Sequence, residues 1–365
     1  MSEIPAQTGP AQTGRAPDEP TPLLCPEPAF GFLEVAGDDA AAFLHGQLSS
    51  DVRALAPDEA QYSSYNTAKG RVLANLVVVR IAGEGAAARY GIVLTRDLAA
   101  SMRERLARYV MRSKVAIADR SGEWATFGLI GDGTTAALEA AGFHVAPSKL
   151  ARSGDAFVLG LPDGRALVFG APAAVAALRE AIAPRTRPGD RSAWLAADVD
   201  AGIAWVVPAT SELFVAQMLN WDVLGGISFR KGCYPGQEIV ARMHYLGRLK
   251  ERLLAFETDA EGIAAGAKLE SPSFGEQACG TVAVAVPRPG GGSRLLAVTQ
   301  LAAAAAGDLS LADHPGARLA PLPLPYTLPP PGTDPRSKAV TAGGSAADEH
   351  NADAGAGASA SARGA

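Results

Sequence analysis

The chain has 365 residues, is 48% hydrophobic and carries a formal net charge of −5. That length and apolar content suffice for a sizeable core and two or three domains, while the acidic balance gives no case for nucleic-acid binding by net charge. The cysteines Cys25, Cys233 and Cys279 lie far apart with no C-x-x-C spacing, which excludes a local zinc or iron–sulfur ligand set, argues against a disulfide framework and fits a reducing cytoplasmic setting.

Residues 1–22 are rich in Pro, Gly, Thr and Ala and lack the apolar core of a signal peptide, so they are expected to be a disordered tail. No stretch approaches the roughly 20 apolar residues that span a bilayer. Residues 37–52, GDDAAAFLHGQLSSDV, place Phe43, Leu44, Gln47 and Leu48 at helical spacing behind two aspartates. Residues 71–81 and 91–95 are apolar, β-branched strands. Residues 96–111 form an amphipathic helix with Leu98, Met102, Leu106, Tyr109 and Val110 on one face. A basic patch, Arg103, Arg105, Arg108, Arg112 and Lys114, overlaps its end. A strand at 123–131, a helix from Thr134 to Ala141, strands near 156–160 and 165–170 and a helix from Pro172 to Ile182 follow; Pro172 suits a first helical turn.

Residues 184–192, PRTRPGDRS, break the pattern and read as a connector. Beyond about residue 250, short strand-like runs alternate with Gly- and Pro-rich turns, which predicts a small β-barrel. The organisation is therefore α+β, with a region 23–250 in two α+β subdomains that break near 120–190. A barrel at 251–326 and a disordered tail at 327–365 complete it.

The most informative stretch is RKGCYPGQEIVAR (230–242). Gly232, Pro235 and Gly236 exclude a helix through it, so it reads as a tight turn that presents a thiol and then enters an ordered segment, Ile239–Arg242. Arg230 and Lys231 bring positive charge, which favours the reactive thiolate of Cys233. The plainer alternative is a small buried cysteine, which suits Cys25 and Cys279 better. His45 and His244 have no partners at metal-ligand spacing, and no metal is expected.

The string GGISFRKGCYPGQEIVAR resembles the K-G-C-Y-x-G-Q-E signature of the YgfZ family of folate-binding proteins. FLHGQLSSDV (43–52), NTAKGRVLANL (66–76) and RYVMRSKVAIAD (108–119) resemble further segments of that family, so that the likeness covers about 25–320. That family is similar to the T-protein of the glycine cleavage system, an aminomethyltransferase that uses tetrahydrofolate, and includes iron–sulfur assembly factors. The resemblance implies a three-domain ring around a folate cleft. It also implies tetrahydrofolate or a derivative as a bound, unconsumed cofactor, and iron–sulfur client or assembly proteins, among them tRNA-thiomethylating enzymes, as partners. Cys233 is then the reactive group, Lys231 and Tyr234 tune or position it, and Gly232, Gly236, Gln237 and Glu238 fix the turn.

In DVDAGIAWV (198–206), Asp200 matches the T-protein glutamate that holds the pterin, against the alternative of an ordinary cap acid. Trp205 is placed to wall the slot, or is a core aromatic. Arg242 is placed to meet the folate tail, or pairs with Glu238 four residues earlier. Asn75 stands near the position of the T-protein's essential aspartate. An amide cannot ionise, so aminomethyl transfer is expected to be lost while the folate site is kept. A one-carbon transferase is the alternative. Direct nucleic-acid binding is disfavoured by the acidic balance and the lack of an aromatic–basic RNA motif.

Overall fold

The structure is a computed structural model. It describes residues 21–329 except 27, 84–86 and 246–248, and omits the side chains of 276 and 315. Nearly all of both expected tails lies outside the described residues.

The chain opens with β1 (Leu23–Pro26), which joins a sheet built mostly later in sequence. Five strands then make an antiparallel sheet: β2 (Phe30–Ala36), β3 (Ala60–Asn66), β4 (Val72–Ala82), β5 (Arg89–Thr95) and β6 (Ala116–Asp119), in the order β3-β4-β5-β2-β6. Strand β4, VLANLVVVRIA, is buried on both faces along most of its length, which is why it reads as an unbroken apolar run rather than an alternating one. Helix α1 (Ala40–Gln47) precedes β3, and α2 (Arg96–Ala107) follows β5. Helix α2 buries Leu98, Met102 and Leu106, one turn apart each, but stops at Ala107. The chain then turns, with Met111 at φ 42°, and leaves Tyr109 54% exposed, so Tyr109 does not extend the apolar stripe as its spacing suggested.

A six-stranded sheet comes next, ordered β11-β1-β7-β10-β9-β8. It comprises β7 (Ala125–Ile130), β8 (Leu150–Ser153), β9 (Ala156–Gly160), β10 (Ala166–Gly170) and the short β11 (Arg187–Pro188), which runs parallel to β1. Helices α3 (Thr134–Ala140) and α4 (Pro172–Ile182) pack against it, with Pro172 at the first helical position as the sequence suggested. The expected connector at 184–192 holds β11 and the start of another helix, α5 (Arg191–Asp200). Asp190 caps that helix, its carboxylate accepting from Ala193 N at 2.8 Å.

After a long irregular stretch, α6 (Gln237–Tyr245) leads into the third sheet. Its strands are β12 (Glu251–Thr258), β13 (Lys268–Ser271), β14 (Gly275–Pro287) and β15 (Ser293–Gln300), then, beyond the short helix α7 (Leu301–Ala306), β16 (Ser310–Leu311), β17 (His314–Arg318) and β18 (Ala320–Leu322). This seven-stranded antiparallel sheet forms the nearly closed, barrel-like C-terminal unit that the strand–turn pattern predicted.

One apolar cluster joins the units. It runs from Phe32, Leu76 and Leu94 of the first sheet through Phe169 and Trp194 to Leu253, Ala283 and Leu296 of the barrel. Beyond the last strand, Tyr326 ties the end of the barrel to the rest. Its hydroxyl donates to Gly202 O at 2.7 Å and accepts from Asn220 Nδ2 at 3.2 Å.

Candidate functional site: an exposed thiol and an aromatic cavity

The K-G-C-Y-P-G-Q-E loop is held from both sides. Gly236 sits at φ +79°, and a Cβ there would fall 2.5 Å from Thr67 O and 2.6 Å from Gly70 Cα. Gly70 is at φ +74° in the Thr67–Arg71 turn between β3 and β4. The A-K-G and P-G-Q segments therefore interlock backbone to backbone, which only glycine permits at these two points.

Lys231 supplies the other anchor. It is 8% exposed, and its ammonium is aimed into the protein, onto the carbonyls that end α1 and follow it: His45 O, Leu48 O at 2.5 Å and Ser50 O at 3.0 Å. Three donors meet three acceptors, and the charge sits at the negative end of a helix. Burial pushes the Lys231 amine down to about 8. The Tyr234 ring lies 4.9 Å from Lys231 Nζ and is itself buried, with its hydroxyl pushed up to about 12 by burial.

Between these anchors Gly232 and Cys233 are exposed. Cys25 and Cys279 are buried, and burial raises both thiols, Cys25 to about 11. Cys233 is thus the exposed thiol of the three. Behind the loop, His45 Nδ1 lies 3.0 Å from Asp51 Oδ1, and His45 Nε2 is 3.8 Å from where a Cβ on Gly232 would sit. Burial first, and then the charge of Lys231, lower the His45 imidazole from its ordinary value. Gln237 and Glu238 open α6; Gln237 N donates to Tyr234 O at 3.1 Å, and Glu238 lies in the helix's first turn, where its charge meets the positive end. Among the described residues no ion pair joins Arg242 to Glu238, and Arg242 is exposed.

A cavity of about 190 Å³ opens between the five-stranded sheet, α5 and the barrel-like unit. Phe30, Thr95, Trp194 and Trp205 wall it on one side, and Ile263 and Ala283–Ala285 of the barrel unit on the other. Asp198 lines it, and Arg191 is among its exposed lining residues. Phe30 meets Trp194 and Trp205 edge-on at 6.0 and 5.2 Å. Asp198 is 2% exposed. Its Oδ1 takes Arg165 Nη1 at 2.8 Å and Trp205 Nε1 at 3.2 Å. Burial pushes the Asp198 carboxyl up to about 6, against the pull of Arg165 and Trp205. Arg165 also holds Asp163 at 2.6 Å and lies 4.7 Å from the Trp194 ring centre. Trp194 Nε1 is buried without a partner among the described residues.

The structure separates the residues that the sequence grouped as folate contacts. Trp205 lines the cavity. Asp200 does not: its exposed carboxylate is held by Arg294 of the barrel at 2.5 and 3.3 Å. Asn75 is 1% exposed, and both ends of its amide are used by the neighbouring backbone. Nδ2 donates to Ala204 O at 2.8 Å and Oδ1 accepts from Val206 N at 2.7 Å. Arg242 stands on α6 and is not among the cavity's lining residues. Asp198, Trp194 and Arg191 line the cavity and were not singled out from the sequence. The cap at Asp190 was the available signal, because it starts α5 and fixes which residues of that helix face inward.

Among the described residues no group of three or more His, Cys, Asp or Glu is placed to hold a metal ion, and no helix is long and apolar enough to cross a membrane.

No family model matches the chain. Over 307 residues it is 33% identical to the tRNA-modifying protein YgfZ of Yersinia pseudotuberculosis serotype O:1b, a match spanning 82% of this chain and 91% of that protein. The YgfZ of Serratia proteamaculans is 30% identical over 306 residues, with the same coverage. Among solved structures, the glycine cleavage system aminomethyltransferase T of Bartonella henselae superposes with a TM-score of 0.68 at 16% identity, over 83% of this chain and 85% of that one. The fold is that of the T-protein, and the chain belongs to the YgfZ family.

Proposed function

We propose that this protein binds a reduced folate and serves tRNA modification, as an accessory factor that maintains iron–sulfur enzymes such as those that thiomethylate tRNA. Cys233 is its reactive group. The single observation that carries this reading is the exposure of Cys233 on a loop locked at both ends, while the other two thiols are buried. The relatives' name, tRNA-modifying protein, supports the process.

Folate enters the proposal through the cavity. At about 190 Å³ it is smaller than the roughly 300–1,000 Å³ of pockets that enclose whole drug-sized ligands, so it takes the flat pterin end and leaves the tail outside. Two indoles and Phe30 supply the slot. The Asp198 carboxylate is the acceptor for the pterin's N–H edge, in place of Asp200, and the unpartnered Trp194 Nε1 is a donor. Arg191, rather than Arg242, is placed for the anionic tail. One cysteine does not hold a cluster, so any cluster contact is transient or shared with a partner's thiols.

Calorimetric titration with 5-formyltetrahydrofolate tests the folate part: the wild type binds, Asp198→Asn binds at least tenfold more weakly, and Asp200→Asn is unchanged. Absence of binding by the wild type refutes it. The T-protein fold favours a second reading, a one-carbon transferase. Asn75, un-ionisable and tied to Ala204 and Val206, weighs against it. Turnover of an aminomethyl donor with tetrahydrofolate would restore it.

A further inference from the structure

A net charge of −5 does not fix how charge is distributed over the surface. Many surface cations have carboxylate partners: Arg89 and Arg120 hold Glu34, Lys149 holds Asp58 and Glu59, and Arg288 holds Glu257 and Asp259. Six exposed cations near the Cys233 loop have no ion pair among the described residues: Arg53, Lys69, Arg108, Arg112, Arg230 and Arg242.

They lie on segments that meet at the thiol loop: Arg53 follows Ser50, whose carbonyl holds Lys231, and Lys69 lies in the turn beside Gly236. Arg53 lies close enough to Lys231 and His45 to act on both charges. Arg230 precedes the thiol loop, and Arg242 stands on the helix after it. Arg108 acts on Tyr65, which bridges to Leu48, the residue whose carbonyl holds Lys231. Arg112 follows in the turn beyond α2, after Met111 at φ 42°. Acids also lie near them: Asp38 is held by Lys114, Glu212 by Arg105 and Asp51 by His45, with Asp39, Glu104 and Glu238 alongside. Two tyrosines stand out among the cations: Tyr109 is 54% exposed beside Arg108, and Tyr245 is 44% exposed at the end of α6.

Unpaired like charges raise one another's energy, and an anionic partner relieves that cost. An acidic protein would match the charge alone. Exposed rings between arginines match a polyanion that also offers flat bases to stack on. We infer that the face around Cys233 is a docking surface for RNA, with phosphates on the six cations and unstacked bases on Tyr109 and Tyr245. This deepens the tRNA reading above and rests on it. It also departs from what the acidic composition suggests, because composition averages over the surface and the partner meets only one face.

The test is fluorescence anisotropy of labelled bulk bacterial tRNA titrated with the full chain across a sodium chloride series. Log affinity should fall linearly with log salt with a slope steeper than about −2, as expected when several phosphates are neutralised. Arg108→Ser with Arg112→Ser, and separately Arg230→Ser with Arg242→Ser, should each flatten that slope by about 1 or more. The control Arg185→Ser with Arg318→Ser, two exposed cations on other units, should leave it unchanged. Tyr109→Ala with Tyr245→Ala should weaken binding at least threefold at one salt with little change in slope. No binding at low salt, equal flattening by the control pair, or equal competition by poly-L-glutamate overturns the inference; the last would mark an acidic protein as the partner. Binding of 5-formyltetrahydrofolate, measured on the same samples, separates the two claims: tRNA binding can fail while folate binding stands, and the reverse.

Discussion

Gly70 and Gly236 meet backbone to backbone, each at a positive φ, so that a Cβ on Gly236 would lie 2.6 Å from Gly70 Cα. This contact sets the thiol loop on the β3–β4 turn. Gly236→Ala is expected to cost about 2 kcal/mol or more through strain and collision. Gly232→Ala, where the nearest atom to the new methyl is His45 Nε2 at 3.8 Å, should cost under about 0.5 kcal/mol. Urea unfolding of the two variants checks the contrast; equal losses would show that the interlock does not hold the loop.

Lys231 is expected to act on the fold more than on the thiol. Lys231→Met leaves the carbonyls of His45, Leu48 and Ser50 without their shared donor, at a cost of about 2–3 kcal/mol. Thermal unfolding should shift down accordingly. An unchanged melting temperature with altered Cys233 reactivity would instead assign Lys231 to tuning the thiol.

Thiol labelling should count one cysteine in the native protein and three in urea. Cys25 and Cys279 are buried and their thiols raised, whereas Cys233 is exposed. Iodoacetamide at pH 8 followed by peptide mass analysis identifies the site. Native labelling at Cys25 would contradict the packing of β1.

Asp198 should leave a signature in stability against pH. Its folded carboxyl stands at about 6, above the ordinary 3.8, so between about pH 4 and 6 the folded state holds a proton that the unfolded state has released. The stabilisation is complete below about pH 4 and is lost as pH rises through 6, on the order of 3 kcal/mol. Asp198→Asn removes that dependence. The wild-type advantage over the variant, from urea unfolding at pH 4, 5 and 6.5, should shrink as pH rises; a growing advantage would mean that Arg165 depresses the carboxyl instead.

The sequence made much of this legible where local chemistry decides. Pro172 marked the start of α4, and the K-G-C-Y-P-G-Q-E run marked a tight turn because glycine and proline constrain backbone directly, although exposure of Cys233 was not legible there. What it hid was direction. Asp198 and Asp200 are two residues apart, but on α5 that separation turns the side chain by about 200°, so one faces the cavity and the other Arg294. Only the helix starting at Asp190 fixes which is which, and PRTRPGDRS looked like a connector. Lys231 likewise reads as a charge beside a thiol, yet its side chain runs the other way, onto α1, a partner more than 180 residues away in sequence. Helix α2 ends at Ala107 although apolar spacing continues through Val110, so Tyr109 is exposed rather than part of the core.

The central claim, that Cys233 is the working group, is tested most directly in a bacterium lacking its own member of this family. The readout is methylthio-modified nucleoside in its tRNA after complementation with wild type or Cys233→Ala, at matched protein levels. The account predicts that wild type restores the modification and Cys233→Ala, folded and folate-binding, restores less than a tenth of it. Full restoration by Cys233→Ala would contradict it and leave the loop a structural turn.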